Sequence, residues 1–316
     1  MQTTRFAEFE LSRLMLGTVQ LGLAYGIANR LGQPLYEDAR DMIAAAWDGG
    51  VNCLDTAAGY GTSEEVIGRA LADLGLADRV TVVSKVVQMA DGLSAGDADA
   101  IVEESVTRSL ERLRLDSLPI CMFHTEANFL DYTDSLLSLK QRGLVRHVGV
   151  SANFPNLTAE VVRSGRAEAV QLPTSVLDQR FIRGGIIREG ASRVMAMFVR
   201  SIYLQGLLFV PENEILPELA DVIPVRRKLA SLAGQAGIGL AELAVRYLLG
   251  MHGITCLVVG AESAEQIRQN VRLVEKGPLD ADLTRAVSEA VPDLPESILF
   301  PRRWSKRMPD ARPEGR

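Results

Sequence analysis

Apolar and polar positions along this chain alternate in blocks rather than residue by residue. Short runs of aliphatic and β-branched side chains end on a polar residue or glycine. Each gives way to a longer stretch with apolar residues three and four apart. Residues 13–18 (RLMLGT) form the first run, followed by a loop and a helical pattern over 36–48. Residues 51–56 (VNCLDT) lead into 63–74, where Ser63 stands ahead of Val66, Ile67, Ala70 and Leu71 as a cap before an apolar helix face. The run 80–85 (VTVVSK) precedes a long helical stretch, 97–115, with Ile101, Val102, Val106, Leu110 and Leu113 on one side. Runs 118–124 (LPICMFH), 147–151 (HVGVS) and 169–172 (AVQL) precede helical stretches at 128–142, 157–164 and, with ambiguous type, 177–189. After 194–201 (VMAMFVRS) come a proline-containing loop and two helical segments, 225–236 and 240–249. The final run, 255–261 (TCLVVGA), precedes 264–274.

Strands that read as continuously apolar are covered on both faces. Eight strand–helix units in succession favour a closed (β/α)8 barrel, an α/β fold, over an open doubly wound sheet. A sheet that binds a dinucleotide would carry G-x-G-x-x-G after its first strand. GTVQLG has only part of that spacing and no helix directly behind it. No linker or low-complexity block divides the chain, so 1–316 reads as one barrel domain whose last stretch, about 296–316, is a basic, partly flexible tail. Trp304 in that tail would either end in solvent or fold back over the barrel mouth. Residues 6–11 would add a small strand or a plug at the barrel floor.

Composition narrows the class of function. With 34 basic against 40 acidic side chains and a formal charge of -6, the chain lacks an electrostatic footprint for nucleic acid or an anionic membrane. No apolar stretch approaches the ~20 residues of a membrane span, and no basic-then-apolar leader opens the sequence. Cys53, Cys121 and Cys256 are odd in number and scattered through apolar runs, which points to a reducing cytoplasm rather than a disulfide framework. His124, His147 and His252 lie far apart without H-x-x-x-H or C-x-x-C spacing, so no metal site is expected. Neither a P-loop nor a G-x-S-x-G elbow is present.

The chemistry of a barrel sits at the C-terminal ends of its strands, which here read Thr18, Asp55, Lys85, His124, Ser151, Gln171, Ser201 and Gly260. Polar groups at so many strand mouths do not follow a packing pattern. Asp55, Lys85 and His124 each close an apolar strand, and Tyr60 follows Asp55 on the next loop. Each alone has an ordinary explanation as a cap, a surface phenol or a core imidazole. Together they bring an acid, an amine, an imidazole and a phenol to one mouth.

The segments LDTAAGYG, VVSK and the strand ending in His124 resemble the aldo-keto reductases. So do LMLGT, HVGVS, AVQ, RSIYLQGLL from Arg200 and GAESAEQIRQN at 260–270, so the resemblance runs through nearly the whole chain. It implies an NAD(P)H-dependent oxidoreductase that reduces a small aldehyde, ketone or sugar-like carbonyl. Asp55, Tyr60, Lys85 and His124 would be its catalytic tetrad. A free phenol, with pKa near ~10, is a weak acid at neutral pH, and a neighbouring ammonium makes it a better proton donor. Asp55 would keep Lys85 charged, and His124 would donate a hydrogen bond to the substrate oxygen.

The resemblance implies a dinucleotide held without a Rossmann fold, NADP first and NAD second. Gly17, Thr18 and Asp55 at the first strand ends would line its site. Ser151, Asn153 and Gln171 would hold the carboxamide, followed by Arg200, Ser201, Leu204, Gln205 and Gly206. Gly260, Ala261, Ser263, Gln266 and Asn270 would meet the adenosine phosphate. The sequence departs from the pattern at four places. Ser151 and Asn153 are separated by Ala152 where the family has Ser directly followed by Asn. Arg200 stands where an aromatic ring usually stacks on the nicotinamide, and it would either stack there or swing away to an anion. Gly260 and Gln266 stand where many members carry Lys and Arg, and Glu262 is nearby. Two other readings are a redox-sensing regulatory subunit similar to the potassium-channel β subunits, and a deoxysugar-nucleotide keto-reductase.

Overall fold

The computed structural model describes residues 1–24 and 32–304. The chain begins with an antiparallel hairpin, β1 (Thr3–Phe6) and β2 (Phe9–Ser12), in which Phe6 pairs with Phe9. Eight parallel strands follow: β3 (Leu14–Gly17), β4 (Cys53–Asp55), β5 (Thr81–Lys85), β6 (Leu118–Phe123), β7 (Val145–Ser151), β8 (Ala169–Pro173), β9 (Ala196–Arg200) and β10 (Cys256–Gly260). Each pairs with the next and β10 returns to β3, closing the barrel that the strand–helix alternation predicts. The register sets Gly17 opposite both Gly260 and Asp55, so the first and last strands end at the same level of the mouth.

Inside the barrel, Phe6 and Leu11 of the hairpin pack beneath Met15, Val83, Ile120, Met122, Phe198 and Cys256. The expected short strand at 6–11 is thus two strands, and they plug the floor. A ring of helices covers the outer strand faces, and its apolar stripes form the larger core. Ser94 caps Ala95–Leu113 by accepting from the Asp97 amide at 3.2 Å, and Arg114 ends that helix in the left-handed region at φ 58°. The ambiguous stretch 177–189 forms two short helices, Arg180–Arg183 and Ile186–Ser192. Between them Gly184 and Gly185 break the turn, and Gly185 takes φ 70°.

Helices Ala281–Ala290 and Glu296–Leu299 follow the last barrel unit, and the hydrophobic pattern did not announce them. Of the predicted tail, only 296–304 lies within the described residues. There the Phe300 ring packs 5.5 Å from Phe154, and the Trp304 indole donates to the Ile298 carbonyl at 3.2 Å. Trp304 is partly buried against the core, and the Arg302 charge reaches His124, so this segment folds back toward the barrel mouth. Among the described residues no helix is long and apolar enough to cross a membrane.

Candidate active site

Asp55 ends β4 and Lys85 ends β5, only 4% and 1% exposed. Lys85 Nζ donates to Asp55 Oδ1 at 2.6 Å and to the Thr56 carbonyl at 2.9 Å. Burial alone would drive the ammonium toward neutrality. The charge of Asp55, the nearby Tyr60 phenol and the hydrogen bond to Asp55 more than reverse that, holding Lys85 above the usual lysine range.

Tyr60 sits on the turn after β4, which several short bonds define. The Ala58 amide donates to the Lys85 carbonyl at 2.9 Å, and the Ser63 amide to the Tyr60 carbonyl at 3.0 Å. The Ser63 hydroxyl lies 2.9 Å from Thr18 Oγ1 and accepts from Thr56 Oγ1 at 3.0 Å, tying this turn to the mouth of β3. Gly22 passes so close that a Cβ there would overlap the Tyr60 carbonyl. These constraints place the Tyr60 ring with its centroid 5.2 Å from Lys85 Nζ and 6.1 Å from the His124 ring, edge to face.

His124 follows β6, and its Nδ1 lies 2.8 Å from the Val86 carbonyl. A carbonyl only accepts, so Nδ1 carries the proton. Burial, with the charge of Lys85 adding to it, lowers the imidazole pKa to about 4. The ring is therefore neutral at pH 7, and Nε2 presents a lone pair.

The other predicted positions divide into groups. Gln171 on β8 joins the Asp55–Lys85 pair directly, its Nε2 donating to the same Asp55 oxygen at 2.6 Å. Ser151 is paired in register with Gln171, and both are buried. Arg200 reaches from β9 across the mouth, donating to the Ala152 carbonyl at 2.9 Å and to Asn153 Oδ1 at 2.7 Å. These bonds tie β9 to the segment that follows β7. The next segment is locally unusual, with Ser201, Leu204 and Gln205 at φ 61°, 46° and 50° and Gly206 at 88°. Left-handed backbone at three non-glycine residues in one loop is the kind of strain that collects at ligand sites. Thr18 is fully buried, and its hydroxyl donates to the Asp55 carbonyl at 2.8 Å.

Ala261 and Ser263 line a cleft of about 600 Å³ together with Gln20, Gln33, Pro34 and Glu262. Asn270 does not reach it, facing instead a small apolar gap beside Leu14, Leu16 and Ile267. Sequence reasoning missed Gln20, whose Oε1 is buried with no hydrogen-bond partner among the described residues. It also missed Glu126, a 2% exposed carboxylate that accepts from the Asn153 and Phe154 amides at 2.5 and 2.6 Å. Glu126 follows the helix cap Thr125, and that position, two residues past the strand mouth at His124, was the available signal.

Residues 13–291 match the sequence profile of the Aldo/keto reductase family. The chain belongs to this family. As an aldo-keto reductase it is an NAD(P)H-dependent oxidoreductase. It is 26% identical over 320 residues to an NADH-specific methylglyoxal reductase of Escherichia coli, covering 90% of this chain and 97% of that one. It is also 26% identical over 298 residues to an L-glyceraldehyde 3-phosphate reductase of the same organism, covering 83% and 85%. Its fold superimposes on an aldo-keto reductase from Bacillus halodurans with a TM-score of 0.76 at 23% identity, over 95% of this chain and 99% of the other.

The residues at the mouth fit a nicotinamide dinucleotide. The cleft volume falls in the range of ligand sites, roughly 300–1,000 Å³. The orphaned Gln20 oxygen in its wall calls for a hydrogen-bond donor from a ligand.

Proposed function

We propose that this aldo-keto reductase reduces a small aldehyde, ketone or sugar-like carbonyl to the alcohol, with Tyr60 as the proton donor. The observation that carries the reading is the placement of the Tyr60 ring between the Lys85 ammonium, 5.2 Å from its centroid, and the His124 imidazole. A nicotinamide dinucleotide, when bound, supplies the hydride. Gly17, Asp55, Ser151 and Gln171 at the strand ends would hold its reactive ring. Ser201, Leu204, Gln205, Gly206 and the segment 260–266 would hold the remainder.

As charge builds on the substrate oxygen, the Tyr60 hydroxyl passes its proton to that oxygen, and a phenolate remains beside Lys85. The buried ammonium offsets that charge, and water returns the proton afterwards. Asp55 keeps Lys85 charged and aimed, which burial alone would prevent. The donor role that the resemblance gave His124 is revised here. With Nδ1–H on the Val86 carbonyl and a neutral ring, Nε2 accepts, so His124 orients the hydroxyl of the alcohol rather than donating to the carbonyl.

The relatives' names support a small aldehyde as substrate. Cys53, Cys121 and Cys256 are free and buried, in keeping with a reducing cytoplasm. A panel of small aldehydes, ketones and sugars, followed by loss of reduced-cofactor absorbance with NADH and with NADPH, tests the proposal. Turnover of at least one carbonyl is expected. Tight dinucleotide binding without turnover across the panel would favour the regulatory-subunit reading instead.

A further inference from the structure

One deeply buried carboxylate takes no part in the proton transfer described above. Glu64 lies on helix Ser63–Asp73 and is 1% exposed. Its two oxygens face different elements. Oε1 accepts from the Ser84 hydroxyl of β5 at 2.6 Å. Oε2 accepts from the Ser109 hydroxyl at 3.1 Å and from Arg112 Nε at 2.9 Å, both on helix Ala95–Leu113. One turn along, a Cβ at Gly68 would lie 2.2 Å from the Arg112 carbonyl, so the two helices already meet backbone to backbone.

Two neighbours of Glu64 lead to the active site. Ser63, directly before it, donates its amide to the Tyr60 carbonyl at 3.0 Å and its hydroxyl to the Thr18 carbonyl at 2.9 Å. Ser84 directly precedes Lys85. Successive side chains of a strand point to opposite faces, so Ser84 meets the helix outside the barrel while Lys85 reaches Asp55 inside it. The carboxylate therefore holds the helix that follows the Tyr60 turn against the strand that carries Lys85. Stability alone does not call for a charge here, because apolar residues in place of a buried ion pair are often neutral or stabilising. Apolar packing is non-directional and lets a helix slide along a strand; directed hydrogen bonds do not.

We propose that Glu64 is a positioning residue for carbonyl reduction, setting the distance between the Lys85 ammonium and the Tyr60 phenol by clamping Ser84. This rests on the reading that Tyr60 is the proton donor. The ammonium favours the phenolate, so moving the two apart makes Tyr60 a weaker acid. Lys85 Nζ lies 5.2 Å from the ring centroid. A retreat of about 1 Å weakens the pull by about twofold to threefold in the ionisation constant, and it also misplaces the donor hydroxyl.

Ultraviolet difference titration of the purified full chain against its Tyr60→Phe counterpart isolates this phenol without cofactor or turnover. Lys85, Asp55 and His124 stay in place in every variant. Ser84→Ala cuts the bond to the strand and keeps the Glu64–Arg112 ion pair, so its fold is retained; Glu64→Gln removes the pair as well. Both raise the midpoint of the Tyr60 titration toward the free phenol value of about 10, by about twofold to threefold in the ionisation constant. Both also lower kcat by about tenfold or more for the fastest carbonyl of the panel, with dinucleotide affinity unchanged. Ser109→Ala deletes a bond to the same carboxylate that does not reach β5, and it leaves the titration and kcat at wild type. An unmoved phenol in Ser84→Ala, or an equal shift in Ser109→Ala, overturns the role of Glu64. Wild-type turnover by Tyr60→Phe overturns instead the proton-donor reading beneath it.

Discussion

The side-chain amide of Gln171 donates to Oδ1 of Asp55 at 2.6 Å, joining residues 116 positions apart in the chain. Lys85 Nζ donates to that same oxygen, also at 2.6 Å. One carboxylate oxygen thus fixes the ammonium beside the proposed proton donor and an amide proposed to meet the nicotinamide. Asp55 is a structural hub as well as a charge.

Asp55→Asn should therefore cost both stability and activity. Lys85 is 1% exposed, and stripping a buried charge of its partner typically costs about 3–5 kcal/mol. In the double variant Asp55→Asn/Lys85→Met no unpaired ammonium remains. Denaturant titration should find much of the lost stability restored while carbonyl reduction stays abolished. A single variant as stable as wild type would show that the pair is not the constraint described here.

Gly22 stands where a Cβ would run into the Tyr60 carbonyl and crowd Ser63. Gly22→Ala must displace the turn that carries Tyr60. Overpacking of this kind costs about 1–3 kcal/mol. A misplacement of about 1 Å at the donor is expected to lower kcat by about 10²-fold. Steady-state kinetics on the folded variant check this, and wild-type kcat would mean the turn tolerates the shift.

The barrel was legible because eight buried strands, each ending on a polar residue or glycine, leave few alternatives. Asp55, Lys85 and His124 could be found because they terminate those runs, and Tyr60 because it follows one. Three kinds of feature lay beyond that reading. The hairpin over 3–12 depends on pairing Phe6 with Phe9 beneath the barrel, a long-range packing choice with no local period. Glu126 and Gln20 act through contacts with backbone or with a neighbouring glycine, which leave no motif. The tautomer of His124 depends on one carbonyl, Val86, presented by a different strand–loop junction.

At the barrel floor His147 bridges Glu168 at 2.8 Å and Glu8 of the hairpin turn at 2.9 Å, with Arg146 and Lys140 also reaching these carboxylates. The hydrogen bond that the His147 ring donates to Glu168 comes first among the causes that raise the imidazole pKa above its usual value, against the cost of burial. A raised folded-state pKa gives stability that is fully present below the unfolded value, near ~6.5, and lost as pH rises through the folded value. His147→Gln should lower Tm clearly at about pH 6 and progressively less toward about pH 9. A pH-independent loss would assign His147 to packing against Phe6 and Phe9 alone.

The central claim, that Tyr60 delivers the proton, is tested most directly by single-turnover carbonyl reduction with Tyr60→Phe, alongside a dinucleotide titration of the same preparation. Deleting one hydroxyl should slow the chemical step by about 10²–10⁴-fold while dinucleotide affinity stays at the wild-type level. An unaltered single-turnover rate in that variant would contradict the account.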